Sequence, residues 1–162
     1  MRHSAVVLAL LAAAACGGPQ GPQPQPSTFA AADGRAGIGR AEWRKRGDAL
    51  EVRFSLGGLT PGRHGVHLHA NPVCEGPAFQ SAGPHYNPEG KKHGHANPDG
   101  PHRGDLGNIS VRDAGSGDYV LTAPGVTLPP AGLALVVHAQ EDDERTDPAG
   151  SAGPRVFCAI VK

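Results

Sequence analysis

The chain has 162 residues, enough for one domain around a single core. Lys+Arg and Asp+Glu both number 15, so the net charge is zero and the basic surplus of a nucleic-acid-binding protein is missing. Glycine (24) and proline (16) are abundant and aromatics few, which points to short strands joined by turns and long loops rather than to helices.

In chain order, the first feature is a targeting segment. Arg2, an apolar run from Ala5 to Ala15 and the small residues before Cys16 have the layout of an export signal. The run is too short to cross a bilayer, which takes about 20 residues. It resembles a bacterial lipoprotein signal, in which Cys16 becomes the lipidated first residue, although Ala13 stands where such signals usually carry Leu. Ordinary cleavage after Ala13-Ala14-Ala15 is the alternative. Residues 17–28 then read as a Pro/Gln/Gly-rich tether, extended and polyproline-like, and 29–162 as the folded domain.

Strands dominate the rest. Ile38 to Trp43 and Leu50 to Leu56 are expected to pair as a hairpin through Arg46-Gly47-Asp48. The second alternates Leu50, Val52, Phe54 and Leu56 against Glu51, Arg53 and Ser55. Val66 to His69 is a short strand. Cys74 to Gly104 has no period, and a loop that long needs a reason. Leu106 to Arg112 and Tyr119 to Thr122 flank Gly115-Ser116-Gly117 and are expected as another hairpin. Leu133 to His138 suits a buried strand, Glu141 to Pro154 a second loop and Arg155 to Val161 the last strand. The fold class expected is all-β, a Greek-key barrel or sandwich of antiparallel strands with two long functional loops.

The chemistry lies in the histidines. His67 and His69 sit two apart on a strand, so both imidazoles point to one face while Val66 and Leu68 point to the other. His85, His93, His102 and Asp105 lie in or just after the first loop, and His138 ends a strand. Independent surface histidines have no reason to alternate or cluster in this way, so these residues are expected to hold metal. Imidazole suits copper and zinc, and three imidazoles with one carboxylate suit zinc. His3, His64 and His95 are read as ordinary solvated histidines.

The order of the motifs carries a resemblance. Gly65-Val66-His67-Leu68-His69, Gly83-Pro84-His85-Tyr86-Asn87-Pro88, Lys92-His93-Gly94, His102-Arg103-Gly104-Asp105-Leu106-Gly107-Asn108, Val136-Val137-His138 and Gly153-Pro154-Arg155-Val156-Phe157-Cys158 follow one another from about Gly37 to the C-terminus. The set resembles the copper/zinc superoxide dismutases in their bacterial exported form. That resemblance implies one copper and one zinc per subunit. Copper would be held by His67, His69, His85 and His138, and zinc by His85, His93, His102 and Asp105. His85 would bridge the two metals. It would also be catalytic, giving a proton to the product when copper is reduced. Asp142 would link a copper histidine, His67, to a zinc histidine, His93. Arg155 would guide the superoxide anion to copper. Cys74 and Cys158 would form a disulfide, leaving Cys16 as the odd cysteine, free to carry lipid.

The resemblance further implies disproportionation of superoxide to O₂ and hydrogen peroxide outside the cytoplasm, in the periplasm or cell envelope. The only membrane contact would be through a lipid anchor, and a homodimer is left open. The alternative is a non-catalytic copper/zinc-binding protein, a buffer or carrier, on the same fold. Retention of all four copper positions and of Arg155 argues against it. Two departures touch packing: Phe157 stands where a small residue is usual, and Ala159 where Gly is usual. The second loop is short, and its usual Lys is missing.

Overall fold

Nine strands form two antiparallel sheets in the computed structural model, which describes residues 25–35, 38–112 and 115–162. Strand β1 is Ser27–Thr28, β2 Ala30–Ala31, β3 Gly39–Arg46 and β4 Ala49–Gly57. After them come β5 (Gly62–His69), β6 (Asp105–Val111), β7 (Ser116–Ala123), β8 (Leu133–His138) and β9 (Arg155–Val161). One sheet has the order β1-β3-β4-β7 and the other β2-β9-β8-β5-β6. The pairings of β4 with β7 and of β5 with β8 join strands that are not consecutive, which is Greek-key connectivity. The export segment, Cys16, His3 and the tether up to residue 24 lie outside the described residues.

Alternation explains the core. On β4, Leu50, Val52, Phe54 and Leu56 turn inward, each no more than 4 % exposed, while Arg53 and Ser55 stay exposed and Glu51 half-buried on the outer face. There Glu51 draws Arg44 and Arg53 into ion pairs. Val66 and Leu68 of β5, Leu135 and Val137 of β8 and Phe157 and Ala159 of β9 form the five-stranded sheet's side of the same core, facing the inward residues of β4 in the other sheet. Phe157 and Ala159, which depart from the pattern of the resembled family, are therefore both core residues, 2 % and 1 % exposed. A smaller core forms on the opposite face of the β8–β9 region from Phe79, Ala82, Ala134, Val136 and Cys158. It pins the first loop to the sheet.

Three expectations need correction. Residues 106–112 and 119–122 do not form a hairpin: β6 pairs with β5, and β7 pairs with β4 in the other sheet. The Gly115 turn, at φ 62°, is real, but it carries the chain across the end of the sandwich. Turn residues specify a reversal, not the sheet that receives the next strand. Ile109 and Val111 on one side and Tyr119 and Leu121 on the other pack into one core, so face-to-face burial outweighs side-by-side pairing. The tether ends earlier than residue 28, because Ser27 and Thr28 pair with Ala41 and Arg40 of β3. The third correction is His64, which is not solvated but 2 % exposed.

Candidate metal centre

One face of the five-stranded sheet carries the site. His67 and His69 project from β5 on the side opposite Val66 and Leu68. They are nevertheless fully buried, because loops 70–104 and 139–154 cover them. Register then brings in the rest. His67 lies opposite Asp105, the first residue of β6, and opposite Val136 of β8. His85 bridges to His69 from the first loop, and a bulge at the end of β8 sets His138 opposite Arg155. A bulge re-aims side chains that strict alternation would send elsewhere.

The hydrogen bonds fix which nitrogen of each ring is free. His67 Nε2 donates to Asp142 Oδ2 at 2.7 Å, His69 Nδ1 to the Gly83 carbonyl at 2.8 Å and His138 Nδ1 to the Gly153 carbonyl at 3.0 Å. The opposite nitrogens, His67 Nδ1, His69 Nε2 and His138 Nε2, are buried without a partner, as is His85 Nε2. One donor atom from each of these four residues lies within 4.8 Å of the others. A buried lone pair without a donor costs about 1–3 kcal/mol. Four of them converging is a donor set for a cation that takes imidazole nitrogen, and copper fits it.

The second set adjoins the first. The Nδ1 atoms of His85, His93 and His102 lie 2.9, 3.1 and 3.2 Å from Asp105 Oδ1. Four donors around zinc at about 2.0 Å stand about 3.3 Å apart in a tetrahedron, so this spacing fits a closed zinc site. Asp105 Oδ2 is held separately by the backbone N–H groups of Gly94 and His102, both at 2.9 Å. The second four-residue group whose donor atoms all lie within 4.8 Å of one another is instead His67, His85, His93 and Asp105, the ring of His67 sitting 3.9 Å from that of His85. His102 joins through Asp105. His85 belongs to both sets, with Nδ1 toward Asp105 and Nε2 toward the first.

Burial and charge set the protonation states of these groups. Loss of hydration pulls His67 down to about 3, His69 to about 2 and His138 to about 4, and lowers His85 as well. They are neutral, the form that ligates metal. His93 is the exception: burial opposes its charge, but Asp105 and Asp142 outweigh burial and raise it to about 9. Burial also works against the charge on Asp105 and Asp142. Hydrogen bonds from His85 and His93 on one, and from His67 and His93 on the other, nevertheless hold both well below the carboxylate range. Asp142 Oδ1 accepts from His93 Nε2 at 2.9 Å, so this one carboxylate holds a ring of each set. Such a partner fixes tautomer and ring orientation.

Arg155 is half-buried beside the first set. Its Nη1 and Nη2 donate to the carbonyls of Phe79 and Gly83 at 2.7 and 2.8 Å. Gly83 O therefore accepts from both His69 and Arg155. Phe79, fully buried and at φ 51°, anchors that stretch, and the Cys74–Cys158 disulfide ties it to β9. His64, which sequence reasoning left to solvent, braces the site from behind. Its ring nitrogens lie 2.8 Å from the His138 carbonyl and 2.9 Å from that of Thr60. The signal was present, because position 64 has the parity of Val66 and Leu68. His95 is exposed, as read.

Comparison with known proteins follows the same motifs. The family profile of copper/zinc superoxide dismutase (SODC) matches residues 37–161. The protein named superoxide dismutase (Cu-Zn) 2 of Aquifex aeolicus (strain VF5) is 38 % identical over 135 residues, covering 77 % of this chain and 79 % of its own. The crystal structure of a SOD-like protein from Bacillus subtilis superposes with a TM-score of 0.79 at 32 % identity, covering 85 % of this chain and 97 % of that one. The Cu/Zn superoxide dismutase from Brucella abortus does so with a TM-score of 0.71 at 26 % identity, covering 86 % and 100 %.

Proposed function

The chain belongs to the copper/zinc superoxide dismutase family, and from that premise we propose that it disproportionates superoxide, with copper on His67, His69, His85 and His138 and zinc on His85, His93, His102 and Asp105. The observation that carries this reading is His85. It alone has one nitrogen in the unpartnered copper set and the other in the Asp105 set. Copper, when bound, supplies the one-electron exchange that turns two superoxide anions and two protons into O₂ and hydrogen peroxide. The protein's part is placement. With His85 Nδ1 committed to the Asp105 set, Nε2 is the nitrogen left to take a proton and pass it to the reduced oxygen. Gly83 and Gly153 keep His69 and His138 in the tautomer with a free Nε2. Arg155, locked by two carbonyls, keeps a permanent positive charge at the approach to the site.

The test is direct. Protein loaded with both metals should dismutate superoxide, and zinc-only protein should not. A loaded protein that holds copper at these histidines without dismutating would leave only the metal-binding reading.

Arg155→Glu should leave metal content unchanged and slow the reaction by about 10-fold or more, with a weaker dependence on salt. Steady-state rates at two ionic strengths check it, and equal rates with an equal salt slope would remove Arg155 from the mechanism.

Location is part of the same proposal. Superoxide is an anion and crosses membranes poorly, so the enzyme belongs on the side where the radical appears. The apolar run before Cys16 and the tether after it support export to the periplasm or cell envelope with a lipid anchor at Cys16. Mass spectrometry of the mature N-terminus should find an acylated Cys16. An unmodified Cys16, or a start beyond it, would mean a freely soluble exported enzyme.

A further inference from the structure

Asp142 grips both metal-site histidines through its side chain, yet it sits in a loop, where a carboxylate is not held by the sheet. Something must fix its main chain. The register pair Gly65 and Asn108, on neighbouring strands β5 and β6, lies under it. Asn108 Oδ1 accepts from the Asp142 N–H at 2.8 Å, and Asn108 Nδ2 donates to the Asp142 carbonyl at 2.9 Å. The same Nδ2 lies 3.2 Å from Glu144 Oε1. One side-chain amide thus clamps both backbone groups of Asp142. Gly65 supplies the room: a Cβ there would stand 3.0 Å from Asp142 Cβ and 3.3 Å from a carbon of the His67 ring.

We propose that Asn108 is a positioning residue for the metal centre, acting through Asp142 on His67 and His93. Its side-chain hydrogen bonds go to Asp142 and Glu144 and to neither histidine. A carboxylate shared between two rings at 2.7 and 2.9 Å has little freedom to move without losing one of them. A main chain held at both N–H and C=O cannot slide or rotate, so the carboxylate stays centred. The amide is chemically required, because it both donates and accepts. Aspartate in its place keeps the acceptor but turns a second carboxylate oxygen toward the Asp142 carbonyl and Glu144. The inference rests on the two-metal reading above.

The experiment measures zinc and copper affinity of the metal-stripped full-length protein by chelator competition, and the visible spectrum with cobalt in the zinc site. Removing the outer partner of a metal-bound histidine costs about 10–100-fold in affinity, so Asn108→Ala and Asn108→Asp should each weaken zinc by about 10-fold and alter the cobalt spectrum. In an Asp142→Ala background the further loss from Asn108→Ala should vanish, since the residue then has nothing to position. A purely structural role would lower the unfolding temperature and leave affinity unmoved. That result, or an equal loss in both backgrounds, overturns the proposal. His93→Ala separates the premise: if it leaves zinc affinity unchanged, the two-metal reading falls and this inference with it. If His93→Ala weakens zinc while both Asn108 variants bind normally, only this inference falls.

Discussion

Replacing His85 by alanine should remove dismutase activity and disturb both metals at once. Its Nδ1 stands 2.9 Å from Asp105 Oδ1, and its Nε2 is a buried, unpartnered member of the other set. Loss of a residue that merely orients a ligand costs about 10–100-fold, so loss of a shared ligand should exceed 100-fold in activity. His138→Ala is the contrast. It removes a nitrogen found in the copper set alone, so copper should weaken while zinc stays. Metal content by mass spectrometry, the copper electron-paramagnetic-resonance spectrum and the dismutation rate distinguish the two variants. A His85→Ala protein with a normal copper spectrum and full activity would sink the bridge.

The parts of this molecule legible in the sequence are those where local periodicity and tertiary burial agree. Strand β4 alternates cleanly, and its hairpin with β3 follows from Gly47. His67 and His69 share a face because a strand has period two, whatever covers it. What escaped detection depends on contacts distant in sequence. The crossing from β6 to β7 is decided by which sheet has core to fill, and a Gly-Ser-Gly turn does not encode that. His64 looked polar and therefore exposed, although its parity placed it with Val66 and Leu68. Its partners are carbonyls of residues 60 and 138, the second visible only after folding. Asn108 belongs to the same motif as His102 and Asp105. Its acceptor and donor lie 34 positions away, and no spacing rule reaches that far. The convergence of His67, His85, His138 and Asp142 was likewise legible only by resemblance, since two loops without periodicity bring it about.

Removing the disulfide should have the largest effect on stability. Cys74 and Cys158 are 84 residues apart with Cα atoms 5.6 Å from each other, so the bond closes a long loop in the unfolded chain. Loop-closure entropy gives about 4–5 kcal/mol as an upper value. At about 2–4 °C per kcal/mol, the metal-free Cys74→Ala/Cys158→Ala protein should unfold about 10–15 °C below the metal-free wild type. Metal-free protein is the right comparison, because bound metal stabilises the folded state by mass action and would mask the difference. The wild type under reductant should fall by a similar amount, which separates loss of the bond from loss of the Cys158 side chain in the small core. Function should fall too, by a separate route. The loop that the bond holds carries the Phe79 and Gly83 carbonyls that lock Arg155, and Gly83 also orients His69. Freed from β9, that loop should let Arg155 swing, so the metal-loaded variant should lose rate and salt dependence together, the result also expected of Arg155→Glu. A shift of less than about 3 °C in the metal-free protein would overturn loop closure as the main source of the bond's contribution.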